Sequence, residues 1–520
     1  MFPEPDMPGV DLVLPDFTYL RENHERIAGI VLTHAHEDHA GGISFLLRDV
    51  DLPVLPIYGS PLSLGLARNR IEEADLLDRV RFAPIADGER RRIGPIDCEF
   101  VPVTHSVPHA FAVAYHTAAG TILHTGDFKL DLTPVDGRKT DLARLGEIAR
   151  RDGGVRVLLS DSTNAERPGF TPSESTVGAA MRVLFRENEE KRFVVASFAS
   201  HLHRVRQVVD AAVAAGRRVA FLGRSMTHNV TLAREMGELT LSDDRVVDIE
   251  DLARYEPNEI CIICTGSQGE PMSALALMAA NEHKYVKIGP DDLVVISAHA
   301  IPGNESNVSR VIDGLHRAGA DVVHGGVVHV SGHASQEELK FMLNLVQPDW
   351  FIPVHGEYRH MIHHARLAQS VGVRPERVLV CEDGDVVTVA PSGLDAERMA
   401  VPAGYLYVDG IVGDVGQGVL RDRRNLAEEG LVVAIVTVDA RTGDVVTGPE
   451  IVTRGWVYGP EADDLIEDAK VAVLASLREA AGEGATDYET LRRHTRRALG
   501  RFINERTRRR PAVIPVVMEV

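Results

Sequence analysis

Between residues 31 and 42 the chain reads VLTHAHEDHAGG, and positions 34 to 39 hold three histidines and two acids. The order is His34-x-His36-x-Asp38-His39, directly after an apolar run. Neutral imidazole and carboxylate together suit zinc, and catalytic zinc sites keep one position open for water. The bland alternative is a polar loop capping a strand. Read as ligands, His34 and His36 turn toward one point, Asp38 and His39 toward another. Further candidates each follow an apolar run: His105 in FVPVTHS, Asp127 beside Gly126 in TILHTGDF, and His355 in DWFIPVHGEY. Singly each is weak, because an isolated histidine is more often a satisfied core or surface residue. Together they supply seven nitrogen and oxygen ligands, enough for two metal ions with Asp127 bridging. A metal pair of this kind activates a water and clamps the leaving oxygen of a phosphate displacement.

Such a site needs rigid elements to assemble it. Runs rich in Val and Ile (RIAGIVLTH, RFVVASFAS, RRVAFLGR, EICIICTGS, DLVVISAHA, DWFIPVHGE) alternate with helical patterns such as SESTVGAAMRVLF, HLHRVRQVVDAAVAAG, QEELKFMLNLV and YRHMIHHARLAQ. This alternation reads as α/β with sheets buried on both faces. IAGIVLTH reads as a buried strand, and several polar motifs sit where strands end, the usual place for sites in open α/β sheets. Near residue 390, VAPSGLDAERMAVPAG reads as a linker. Beyond it, GLVVAIVTVDARTGDVVTGPEIVT reads as antiparallel strands around an Arg-Thr-Gly-Asp turn, followed by two helical patterns and a closing strand, PAVIPVVMEV.

Composition sets outer limits. The 520 residues are 44% hydrophobic and 25% charged, an ordinary globular balance. No apolar run reaches the roughly 18 residues that a membrane helix needs. The first residues, MFPEPDMPGVDL, lack the features of a signal peptide. Four cysteines in so long a chain make no disulfide framework, so a reducing cytoplasm is expected. The formal charge of −20 argues against a general nucleic-acid coat. It does not exclude a nuclease, where bound cations and a local basic groove reverse the field.

In combination, these motifs resemble the metallo-β-lactamase superfamily, and the insertion between Asp127 and His355 resembles the β-CASP nucleases. Within that group the chain is similar to the ribonuclease J family, through PDFTYL, THAHEDHAGG, HTGDFK, SDSTNAERPG, CTGSQGEPMSAL, HVSGHASQEELK and the final PVVMEV. The resemblance implies an αββα sandwich with an inserted β-CASP α/β domain and a small C-terminal α+β domain. The implied boundaries are 1–170 and 337–395 for the two lactamase parts, 171–336 for the insertion, 396–425 for a linker and 426–520 for the last domain. It implies one zinc on His34, His36, His105 and Asp127, and another on Asp38, His39, Asp127 and His355, with manganese or magnesium as possible replacements. The catalytic set it implies is His333, Asp38 and Asp161. Asp161 would orient a ligand, or alternatively serve only as an N-cap-like turn residue. His333 would stabilise the phosphate or protonate the leaving oxygen.

The stretch His329, Val330, Ser331, Gly332, His333, Ala334 and Ser335 is expected to hold substrate phosphate, with Gly332 allowing close backbone approach just before a helix. Phe198, Ala199 and Ser200 are a second candidate contact, for a terminal phosphate; the alternative is a plain strand-to-helix turn. The implied activity is 5′-to-3′ exonucleolysis of RNA, preferring a 5′-monophosphate, with some endonuclease cutting, in RNA decay and ribosomal RNA maturation. Single-stranded RNA is the implied partner, with a homodimer or homotetramer, other RNA-degradation proteins and no membrane. Sequence preference should be slight. Three alternatives stand beside it: a DNA-processing β-CASP nuclease, a small-ester hydrolase, and a catalytically weak RNA-binding subunit. His355 disfavours the first, since that branch carries an apolar residue there. The inserted domain disfavours the second.

Other features are read more plainly. Cys261 and Cys264 lie three apart on a strand and so on opposite faces, as buried thiols. His201 and His203 do not share a helical face. His360, His363 and His364 form a solvated or packing face. The cluster Arg492, Arg493, Arg496, Arg497, Arg501, Arg508, Arg509 and Arg510 is RNA-facing, an oligomer contact, or a solvated face. Family members begin with additional strands before MFPEPDMPGV, so an uncovered sheet edge or a gap in the core is expected, with residues 1–30 the less stable for it.

Overall fold

Strands Ile96–Pro102 and Phe111–Thr117 show why a sandwich forms. Cys98, Phe100, Phe111 and Val113 pack with Tyr58, Ile85 and Ile93. Their neighbours Val101, Ala112 and Ala114 pack the other way, with Leu145, Leu339, Met342 and Ala368. Period-two alternation thus buries both faces, one against a second sheet and one against helices. The structure, a computed structural model, describes residues 7–151, 153–301, 303–410, 413–457 and 461–520.

The larger sheet has six strands in the order Trp350–Val354, Val155–Asp161, Gly120–His124, Phe111–Thr117, Ile96–Pro102 and Arg90–Ile93. The smaller is parallel: Ile30–Val31, Leu55–Gly59, Val80–Pro84. Helices Leu142–Arg150, Gln336–Val346 and Tyr358–Ser370 cover the larger sheet, and Ile43–Asp49 and Pro61–Glu73 the smaller. This is the expected αββα sandwich.

The insertion is a five-stranded parallel sheet ordered Arg218–Leu222, Ile260–Cys264, Arg192–Ala196, Asp292–Ile296, Asp321–His324. Cys261 and Ile263 pack on one face and Ile262 and Cys264 on the other. The two thiols therefore point apart, as the strand period requires. The first strand in sequence, Arg192–Ala196, sits in the middle with later strands on both sides, so its carboxyl end opens at the switch point of the sheet.

Two expectations are corrected. IAGIVLTH yields only the two-residue strand Ile30–Val31, half-buried rather than buried. It lies at the edge of the small sheet and, among the described residues, pairs on one side alone, with Leu55–Gly59. Residues 396–425 are not a bare linker. Val386–Ala390 and Gly393–Glu397 form a hairpin, Tyr405–Asp409 is a strand and Gln417–Glu429 a 13-residue helix. The Pro391-Ser392 pair is the hairpin turn: turn chemistry was legible, but it joins two strands instead of two domains.

The chain divides into two compact units, Pro15–Gly404 and the segment ending at Leu14 with Tyr405–Val520. In the second, Leu431–Val438 pairs antiparallel with Val445–Arg454 and parallel with Ala512–Glu519. Val432, Ala434, Val436 and Val438 bury one sheet face against helices Glu461–Gly482 and Tyr488–Thr507. This is a small α+β fold, as expected. Among the described residues no helix is long and apolar enough to cross a membrane.

Candidate metal centre

The centre is built where strands of the sandwich end. Strand Gly120–His124 runs into a turn at Gly126, whose φ is +58. A Cβ there would stand 2.5 Å from the Phe111 carbonyl oxygen, so glycine alone permits the turn that aims Asp127. His34 follows strand Ile30–Val31, tied to the larger sheet by the Phe111 N–H donating to the Thr33 carbonyl at 3.0 Å. His36 is the N-cap of helix Glu37–Ala40, which carries Asp38 and His39. His105 follows strand Ile96–Pro102, and His355 follows Trp350–Val354 in the left-handed region, φ +57. A non-glycine residue there marks backbone held against its own preference, a feature that clusters at functional sites.

These segments bring seven side chains together. His36 Nδ1 lies 3.2 Å from His34 Nε2 and 3.0 Å from His105 Nε2. Asp127 Oδ2 lies 3.5 Å from His34 Nε2 and 3.8 Å from His105 Nε2. The same oxygen is 3.2 Å from His39 Nε2 and 3.5 Å from His355 Nε2. Asp38 Oδ2 is 3.7 Å from His39 Nε2 and 3.3 Å from His355 Nε2. Among the described residues the seven fall into two four-ligand groups sharing Asp127, and a third group adds Asp161 and His333 to Asp127 and His355, with the ligand atoms in each within 4.8 Å of one another. Ligands about 2.0–2.2 Å from a tetrahedral zinc stand about 3.3–3.6 Å apart, so the spacing fits.

The proton arrangement points the same way. The Gly332 carbonyl can only accept, so His105 Nδ1 donates to it at 2.8 Å and His105 Nε2 is a bare lone pair. That lone pair faces His36 Nδ1 and the Asp127 carboxylate. Burial holds His34 and His105 well below the ordinary imidazole pKa and lowers His36 to about 3. All three therefore stay neutral, the form that ligates a cation. His39 Nε2 is buried without a hydrogen-bond partner. Burial pushes the Asp127 and Asp38 carboxyls up, but the surrounding imidazoles outweigh it and keep both ionised. Burial lowers the His355 pKa, but Asp127, then Asp161 and Asp38, raise it well above the ordinary imidazole value. The carboxylates thus draw positive charge to His355; a metal ion would replace that proton, and the donor set fits metal ions.

Asp161 ends strand Val155–Asp161 behind this cluster. One oxygen accepts from His333 Nδ1 at 2.8 Å; the other accepts from the Thr163 N–H at 3.0 Å and lies 3.4 Å from His355 Nδ1. One carboxylate thus contacts two histidines and also closes the turn at Thr163. Burial lowers the His333 pKa, but the Asp161 charge and hydrogen bond more than reverse this, so His333 titrates above the ordinary value. Its ring stacks on His355 with centroids 5.5 Å apart.

The loop carrying His333 is fixed by its neighbours. Asn164 Nδ2 and Thr171 Oγ1 donate to the His333 carbonyl at 3.0 and 2.7 Å. The Ala334 N–H donates to the Phe128 carbonyl, and Ser335 caps helix Gln336–Val346 in a capping box with Glu338. Within the stretch expected to hold phosphate, Val330, Gly332, Ala334 and Ser335 are buried and His329, Ser331 and His333 are partly exposed. Close packing at Gly332 also comes from within the protein: a Cβ would stand 2.8 Å from the His105 ring and from Ser106 Oγ. His329 stays neutral, lowered to about 2 by burial and then by Arg204, whose guanidinium donates to its Nδ1 at 3.3 Å.

Residues 7–195 match the family described as Beta-lactamase superfamily domain, and residues 190–315 match Ribonuclease J, beta-CASP domain. Residues 323–379 match Zn-dependent metallo-hydrolase RNA specificity domain, and 418–520 match Ribonuclease J C-terminal domain. Ribonuclease J of Mycolicibacterium smegmatis is 42% identical over 523 residues, covering 100% of this chain and 92% of that protein. The chain belongs to the ribonuclease J family. Ribonuclease J 1 of Streptococcus pyogenes is 40% identical over 99% of the chain and 91% of its own length. Ribonuclease J2 of Bacillus subtilis is 39% identical over 100% and 93%. As a member of the ribonuclease J family, the chain is a metal-dependent ribonuclease.

Several parts of this ribonuclease J site escaped sequence reasoning. Thr163 Oγ1 bonds His355 Nδ1 at 2.9 Å, Ser106 Oγ lies 3.3 Å from His36 Nε2, and partly buried His124 Nδ1 accepts from the Gly126 N–H at 2.9 Å. Only Thr163 had a signal, two positions after Asp161 in SDST. Phe198, Ala199 and Ser200 are partly exposed at the carboxyl end of strand Arg192–Ala196, ahead of helix Leu202–Ala214. His201 lies 3.6 Å from Glu174 and His203 3.2 Å from Asp136, so they form no ligand pair. His364 is buried against Phe351 and Ser162, and His360 is buried, whereas His363 is partly exposed.

Proposed function

We propose that the two groups hold two zinc ions, replaceable by manganese or magnesium, with Asp127 bridging. The observation that supports this best is a single oxygen, Asp127 Oδ2, within 3.2–3.8 Å of imidazole nitrogens from His34, His39, His105 and His355. Two divalent cations held there would lower the pKa of a water and neutralise a phosphodiester. His333, protonated on Nδ1 by its bond to Asp161, would use Nε2 to stabilise the phosphate or protonate the leaving sugar oxygen. Asp161 would position His333 and His355 together, and Asp38 would join ligation to the orientation of His355.

In this reading residues 171–336 form a β-CASP lid on the lactamase parts, and single-stranded RNA is cut from its 5′ end, preferentially a monophosphate, with some internal cleavage. The turn Phe198–Ser200 supports a terminal-phosphate contact, because it opens at a sheet switch point and leads into a helix N-terminus. RNA decay and ribosomal RNA maturation in the cytoplasm, as a homodimer or homotetramer with other degradation proteins, complete the proposal.

Metal analysis of the purified protein, with a time course on 5′-labelled RNA, tests it. Mononucleotide released from the first time point means exonuclease; discrete internal fragments mean endonuclease; no metal and no cleavage refutes the reading. His36→Ala should lose cleavage while RNA affinity persists, and equal activity in that variant would remove the metal mechanism. His333→Ala should lower kcat about 10²- to 10⁴-fold, as expected for a general acid, with metal content unchanged.

A further inference from the structure

The helix Tyr488–Thr507 and the turn after it carry charge that neither the metal centre nor the core uses. Residues 488–510 hold nine arginines, two glutamates and no lysine, in a chain of formal charge −20. Leu491, Thr495, Leu499 and Ile503 are buried and set the inner face of the helix. At 100° per residue, Arg493, Arg497 and Arg501 fall on the opposite, exposed face, one turn apart. Arg508, exposed in the left-handed conformation that ends the helix, extends the row.

Arg492 has Glu489 at 3.4 Å and Arg506 has Asp468 at 2.6 Å. Among the described residues no carboxylate lies within 4.0 Å of Arg493, Arg497, Arg501 or Arg508. Like charges one turn apart weaken a helix. Within the row Arg493 donates to Thr490 Oγ1 at 3.4 Å and lies near the N-cap Asp487, and for Arg497, Arg501 and Arg508 no ion pair is seen among the described residues.

Residue type and spacing select the partner. Guanidinium groups bind phosphate oxygens in a bidentate fork, and a row of them suits a repeating anion better than a single ion. A protein interface would present apolar anchors, and among the described residues no large apolar side chain is exposed between Arg492 and Arg510.

We propose that Arg493, Arg497, Arg501 and Arg508 form a second RNA-binding surface, independent of the metal centre, that grips the backbone of single-stranded RNA without reading its sequence. This rests on RNA being the substrate. The test is the full-length triple variant Arg493→Ala, Arg497→Ala, Arg501→Ala, with circular dichroism to confirm folding. Affinity for a 30-nucleotide polyuridylate is measured across salt concentrations in a cleavage-inactive His36→Ala background. Each lost phosphate contact on a single strand removes about 0.7 from the slope of log K against log salt, so the slope should fall by about 2 and low-salt affinity by about tenfold or more. Lysine at the three positions should restore the slope.

Cleavage of a five-nucleotide 5′-phosphorylated RNA, too short to engage three arginines by its backbone while being cut, should be unchanged. Unaltered affinity and slope overturn the proposal. So does a changed sedimentation coefficient with RNA affinity intact, which would make the row a protein interface. Wild-type protein that cleaves neither RNA would instead refute the ribonuclease reading itself.

Discussion

Asp127→Asn is expected to strip both metals from the protein and to lower cleavage by at least about 10⁵-fold, roughly 7 kcal/mol of lost transition-state stabilisation. The substitution is nearly isosteric, so the turn at Gly126 and the surrounding packing should survive. What disappears is the negative charge facing His34, His39, His105 and His355, and with it the bridge between the two ligand groups. An asparagine oxygen is a poorer ligand, and its amide would turn a donor toward nitrogens that also need a cation. Activity alone would not separate lost chemistry from lost binding. The second readout is thermal: zinc at 100 times its Kd stabilises a single-site native state by about 2.7 kcal/mol. Wild type should show that shift and Asp127→Asn should not. A variant that still binds two metals and still shifts would show that Asp127 is not the bridge.

How far the sequence discloses this site follows from the physics of each residue. Metal ligation uses side chains that rarely cluster, and the fold delivers them at strand ends, so His34, His36, Asp38, His39, His105, Asp127 and His355 are legible from type and position. The α/β character is legible too, since strands such as Trp350–Val354 bury both faces and read as apolar runs, whereas the αββα layering comes through the family resemblance. Supporting residues are another matter. Thr163 acts only because His355, 192 residues later, arrives beside it, and nothing in a threonine announces that. Gly332 announces close approach without naming the partner, and in the fold the His105 ring and Ser106 pack against it. Pro391 and Ser392 announce a turn without saying whether it separates domains or strands. Buried charges are hardest to foresee, because Glu174 and Arg204 look like surface residues until the insertion packs around them.

That pair carries the second large prediction. Glu174→Gln should destabilise the protein by about 3–5 kcal/mol, the cost of leaving a buried guanidinium unpaired. Arg204 is fully buried and donates to both carboxylate oxygens of Glu174, at 2.6 and 2.8 Å. Its other N–H groups reach the carbonyls of Ser297, Val328 and Val330, at 2.8, 3.4 and 3.3 Å. The ion pair therefore anchors the backbone that enters the loop bearing His333, and losing it should also lower kcat through a misplaced His333. Burial pushes the Glu174 carboxyl up, but Arg204 and then His201 outweigh this and hold it well below the ordinary glutamate value. A depressed folded-state pKa contributes stability that is fully present above the unfolded value, near 4.3, and lost as pH falls through the folded one. Denaturant titrations should thus show wild type losing stability in acid more steeply than Glu174→Gln, the two curves converging at low pH. Replacing both residues, Glu174→Gln with Arg204→Met, should recover part of the stability by removing the orphaned charge, while kcat stays low because the loop carbonyls have lost their donor. Recovery of kcat in the double variant would show that the pair stabilises the fold without positioning His333.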